Sequence, residues 1–137
     1  MQDPWTIVSR ARQGPVPRTW RVVTKKRGAI SGFFRGTSND PDPLLVLTPE
    51  GSVEYINSKK DLVVVNFGEL SKIDLRVDGH SFSDSSIVTI RVWVDLYYRN
   101  GRKEKWWPPS VGDGVQVVQY FVEAFGAYKA LRGAAGR

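Results

Sequence analysis

The sequence predicts a mainly β domain, a curled antiparallel barrel of about seven strands capped by one C-terminal α-helix. Three observations carry this. Apolar and polar residues alternate with period two through most of 20–107, over the longest stretch from Ile87 to Arg99. Asn100-Gly101 then supplies two residues that tolerate positive φ, which predicts a two-residue hairpin turn into Arg102–Trp107. After Pro108-Pro109 the apolar spacing changes to three and four, the period of a helix.

Taken in order, residues 1–19 read as an N-terminal extension. Pro4, Gly14, Pro15 and Pro17 interrupt it, and Ile7 and Val8 offer one helical turn or a short edge strand. The domain itself spans 20–133, with 134–137 as a flexible C-terminus. Arg21–Thr24 is a short strand or a lead-in, and Ala29–Arg35, between Gly28 and Gly36, is a full strand. A proline-bearing acidic loop, 37–43, leads to Leu44–Thr48. Pro49-Glu50-Gly51 turns the chain into Ser52–Asn57, and Lys59-Lys60-Asp61 turns it into the valine-rich Leu62–Phe67. Residues 71–77 alternate again, and the polar stretch 78–86 is a loop. In Ile87–Arg99 one face carries Val88, Ile90, Val92, Val94, Leu96 and Tyr98, and the other carries Arg91, Trp93, Asp95 and Tyr97. The helix is expected to start at a Ser110 cap with Asp113 as its partner and to stop at Gly133. Its valines and two internal glycines give modest intrinsic propensity. Burying five large side chains at about 2 kcal/mol each outweighs that weakness. No βαβ pattern is present, so a parallel sheet is not expected.

With 137 residues and 41% hydrophobic content the chain can bury one sizeable core. Cysteine is absent, which excludes disulfides, thiolate metal sites and a cysteine nucleophile. No apolar run is long enough to span a bilayer, and the first residues do not have the pattern of a secretory signal. A cytoplasmic location, with contact to a membrane surface as a variant, is the expectation. The net charge of +6 is concentrated at the front. Eight Lys/Arg stand against Asp3 in the first 35 residues, while the remainder holds twelve bases and thirteen acids. A neutral body with a basic front suggests a binding module rather than an enzyme.

This order of elements resembles the pleckstrin-homology (PH) superfamily in its broad sense, which includes lipid-, phosphotyrosine- and protein-binding relatives. Gly28–Phe34 resembles the family's first strand, and Leu44–Thr48 with Gly51–Ile56 resembles its second and third. Residues 62–107 supply the next four and 110–132 the closing helix. The likeness covers about 20–133 and is one of pattern and order. It implies a PH-like barrel with Phe121 or Phe125 in place of the family's inward tryptophan. It also implies a phosphoinositide pocket at the loop joining the first two strands. Arg35 matches that pocket, but Asp40 and Asp42 in the loop repel a phosphorylated headgroup. A register that begins the sheet at Arg21–Thr24 would instead place Lys25, Lys26 and Arg27 there. In some relatives a peptide adds against the fifth strand beside the helix, which here means residues 71–77.

The candidate anion ligands are Lys25, Lys26, Arg27, Arg35, Lys59 and Lys60, weighed against a solvated connector and ordinary turn lysines. The candidate interaction surface is Trp93, Tyr97, Trp106 and Trp107. Alternation allows only one of the last two to point inward. His80 with Asp78, Asp84 and neighbouring serines is a weak basis for a catalytic triad, and no nucleophile elbow or nucleotide-binding glycine loop accompanies it. No cofactor and no metal are expected. The leading expectation is a non-enzymatic, adaptor-like module for a protein or peptide partner, with self-association as a related outcome. Peripheral binding to anionic lipid and binding of nucleic acid through basic and aromatic residues are the alternatives.

Overall fold

The computed structural model describes residues 1–24, 42–56, 61–81 and 88–135. It begins with a helix, α1, Pro4–Gln13, which extends the single helical turn offered by Ile7 and Val8 to ten residues. Proline at the first helical position costs no hydrogen bond, because that N–H has no partner within a helix. Asp3 caps the helix, its carboxylate accepting from the Thr6 amide at 3.0 Å. The prolines and Gly14 therefore bound this element rather than abolish it.

Seven strands follow among the described residues: β1 (Arg21–Thr24), β2 (Leu44–Thr48), β3 (Gly51–Ile56), β4 (Asp61–Asn66), β5 (Leu70–Ser81), β6 (Val88–Tyr98) and β7 (Lys103–Trp106). A second helix, α2 (Gly114–Ala135), closes the described chain. The strands form two antiparallel sheets, β1-β2-β3-β4 and β5-β6-β7. This corrects the expected PH-like barrel and the resemblance that implied it. No ladder joins β4 to β5 or β1 to β7 among the described residues, so both sheets are open. Barrel closure requires continuous strand pairing. The chain leaves β4 through a single 3-10 turn, Phe67–Glu69, and enters the other sheet. The terminal strands β1 and β7, four residues each, offer short edges for closure. Helices complete the burial instead, which makes the protein part β and part α.

The first sheet is covered on both faces. On β2 the side chains of Leu45 and Leu47 point toward the second sheet and α2, and join Val94, Leu96, Trp106 and Phe121 in the main core. Leu44 and Val46 point the other way, where Ile7 and Val8 of α1 pack on them with Val53 and Tyr55. All five residues of β2 are consequently buried. Phe67, from the turn, meets Phe121 and Phe125 edge-on at 5.6 and 5.5 Å. The Arg21 guanidinium lies 3.7 Å from the centre of the Tyr120 ring and ties β1 to α2.

Several boundaries move. Arg21–Thr24 is the first described strand, whereas the expected strand at 29–35 lies outside the described residues. β5 runs on to Ser81, so Asp78, Gly79 and the His80 backbone belong to a strand and not to a loop. Asn100-Gly101 forms part of a three-residue loop: the Tyr98 amide donates to the Arg102 carbonyl at 2.8 Å, leaving residues 99–101 between. Gly101 has φ 90°, the positive value that such a loop requires of its last residue. The helix cap is Asp113 rather than Ser110, since the Asp113 carboxylate accepts from the amides of Val115 and Gln116. At the other end α2 passes through Gly133 to Ala135.

Candidate functional site

The outer edge of β5 and the helix beside it form the first surface with the properties of a binding site. In register, Leu75 faces Val94 and Val77 faces Val92, so these β5 side chains lie on the core side of the sheet. The core does not reach them. Leu75 is 55% exposed and Val77 65%, and Ile90 on β6 is 63% exposed. Val115 of α2 is also exposed, although its three-and-four spacing from Val111 and Val118 would put it on the apolar stripe. Leu75, Val77 and Val92 from the sheet and Val115, Val118 and Val122 from α2 line an apolar groove of about 350 Å³. Among the described residues the twelve-residue strand β5 pairs only with β6, so its other edge has no described strand partner. The surplus of valines on α2 was a signal in the sequence. A sheet of three strands cannot cover so wide an apolar stripe, and the groove is what remains.

The opposite face of the same sheet gathers three of the four aromatic candidates. Trp93 and Tyr97 project there from β6, and Trp107, 45% exposed, follows β7. Trp106 does not join them: it pairs with Val94 and stacks on Phe121 at 4.2 Å inside the core. This corrects its assignment to the interaction surface. Trp93 and Trp107 approach to 5.1 Å between ring centres. The Lys105 ammonium sits 5.0 Å from the Trp93 ring, and Lys72 sits 4.5 Å from Tyr97.

At the centre of this face is Asp95, only 3% exposed although it points away from the core. Its carboxylate accepts from Arg76 Nε at 2.8 Å and from Trp93 Nε1 at 3.1 Å, with Lys103 Nζ at 3.8 Å. The Arg76 hydrogen bond holds the Asp95 carboxyl below the ordinary carboxylate range, with the Trp93 bond and the Lys103 charge acting in the same direction and burial opposing them. The same pairing raises the Arg76 guanidinium. Asp95 thus fixes the Trp93 ring and anchors a lattice of charges and rings across three strands.

The candidate anion ligands Lys25, Lys26, Arg27, Arg35, Lys59 and Lys60 lie outside the described residues. Asp78 pairs with Arg91 at 3.1 Å, and Asp84 is not described. No group of three or more residues suited to hold a metal occurs among the described residues. No described helix is long and apolar enough to cross a membrane. No family model, curated protein or solved structure matches the chain.

Proposed function

We propose that the chain is a non-enzymatic interaction module that takes an extended peptide of a protein partner as an added strand on β5. The peptide's backbone pairs with the outer edge, and its alternate apolar side chains enter the groove between β5 and α2. One observation carries this reading: Leu75 and Val77 stand exposed on the core side of an edge strand, opposite an unfilled valine-lined helix face. Backbone pairing gives affinity for any extended segment, and the groove selects apolar residues at every second position.

Selection from a random peptide library on the full chain tests the proposal. The selected peptides should share alternating apolar residues, and binding should slow amide exchange at 71–77. Leu75→Glu and Val77→Glu should each weaken binding roughly tenfold. Selected peptides that protect other segments, or that bind these variants unchanged, would reject the site.

A second reading draws on the outer face, where Trp93, Trp107 and Tyr97 stand among lysines in the arrangement that stacks unpaired bases. It expects salt-dependent retention of single-stranded nucleic acid that is lost in Trp107→Ala. Retention unchanged by that substitution would dismiss the platform. The lipid reading rests on the basic front at 18–35, whose central cluster is not described, so no geometry favours it.

A further inference from the structure

A smaller cavity of about 140 Å³ lies where the start of β5, the β6–β7 loop and the last turns of α2 meet. Arg99, Lys129 and Arg132 line it together with Leu70, Ser71 and Phe125. No carboxylate is among its described lining residues. Among the described residues none of the three cations makes an ion pair, and neither does Glu69, the acid that ends the 3-10 turn before β5. We propose that this cavity is a binding site for a phosphate monoester.

The argument starts from charge. Cations in the last turn of a helix complement its C-terminal dipole, and that alone accounts for Arg132. It does not account for Arg99, which arrives from a different element. Arg99 is held in place because its backbone amide donates to the Glu69 carbonyl at 2.9 Å, which fixes the hairpin loop against the 3-10 turn. Aromatic rings position the other two heads. Lys129 Nζ is 5.8 Å from the Phe125 centroid, and the Arg132 guanidinium is 5.4 Å from that of Tyr128. Three like charges are therefore gathered at one small concavity with no counter-charge from the described protein. A multiply charged, compact anion removes that repulsion and accepts several charge-assisted hydrogen bonds at once. The Ser71 hydroxyl already donates to the Tyr97 carbonyl at 3.0 Å, so recognition rests on the cations. The site is independent of the peptide groove, which lies toward the other end of β5 and is lined by different residues.

Titration of the isotope-labelled full chain with inorganic phosphate, followed by NMR, tests the proposal. The expected result is saturable shifts centred on Ser71, Arg99, Lys129 and Arg132. Arg99→Gln should weaken binding roughly tenfold, and the triple variant R99Q/K129Q/R132Q should abolish it. These side chains are at the surface, and an unchanged amide spectrum elsewhere checks that the variants fold. Parallel titrations with O-phosphoserine and glycerol phosphate distinguish a phosphorylated side chain from a lipid headgroup as the source, the tighter binder naming it. Shifts that rise linearly without saturation, that spread over the protein's other lysines, or that survive in the triple variant overturn the site. Because the titrants do not touch the groove, either outcome leaves the peptide reading to its own experiment.

Discussion

Asp95 shows how much a single side chain depends on neighbours distant in sequence. Alternation along β6 places it opposite the core, where an aspartate is ordinarily exposed. Its burial comes from Arg76 and Lys103 on the flanking strands and from Trp93, and strand register cannot be read from one strand's pattern. The direction of its titration yields a prediction. A carboxyl depressed in the folded state stabilises the fold above its unfolded pKa of about 3.9, and the gain is lost as pH falls through the lower folded value. Asp95→Asn should therefore lower Tm at neutral pH, and its deficit against the parent chain should close on acidification to about pH 2. A deficit constant across that range would mean that the carboxylate charge is not what matters. Glu54 behaves oppositely, because burial raises its carboxyl. Its ionised form burdens the fold above the raised value and not below the unfolded one, so Glu54→Gln should raise Tm at neutral pH and not at acid pH. Ser52, fully buried with an unpartnered hydroxyl, is a third case. Ser52→Ala should gain about 1 kcal/mol in urea unfolding, and a loss would mean that the hydroxyl has a partner.

Elements with a clear period were legible, and elements fixed by a few contacts were not. The strand at 88–98 follows from alternation, that at 44–48 from a continuous apolar run, that at 103–106 from the turn before it, and the long helix from apolar spacing. The length of α1 was not legible beyond a single turn at Ile7 and Val8, because its prolines look disruptive and only those two residues are buried. Phe67 was read as the end of a strand, yet it leaves the sheet to anchor the turn between the two sheets. The helix's hold on both sheets runs through Phe121, fully buried between Phe67 and Trp106. Phe121→Ala should cost about 3–5 kcal/mol in denaturant unfolding. At the start of β3 a side chain on Gly51 would collide with the Val65 carbonyl oxygen of the paired strand. Gly51→Ala should accordingly destabilise by about 1–3 kcal/mol, since backbone and not a movable side chain stands in the way. A neutral result would show that β4 shifts freely there.

At the scale of the whole molecule, the order of the described strands from Leu44 to Trp106 was readable, but their division into two sheets was not. Closure of a barrel depends on whether edge strands are long enough and meet in register, and no single strand encodes that. With α1 over one face of the first sheet and the core over the other, the first sheet's faces have little left for a partner. The second sheet keeps a groove, an aromatic face and, among the described residues, an edge without a strand partner. Residues 71–77 were already a candidate edge, whereas the apolar spacing of α2 alone does not separate the valines that complete the groove from those of the core. The phosphate site was invisible because Arg99 lies thirty positions from Lys129 and is brought to it only by the fold. Trp106 and Trp107 mark the boundary between these cases: alternation required one indole inside, and the pairing of β7 with Val94 decided which.

The closeness of Trp93 and Trp107 has an optical consequence. Two indoles 5.1 Å apart with rings inclined at 35° couple their electronic transitions. The chain should show an exciton couplet in its circular dichroism that Trp107→Phe removes without changing the helical signal. Any molecule that settles on that face and separates the rings would extinguish the couplet, so the protein carries its own unlabelled reporter of occupancy there.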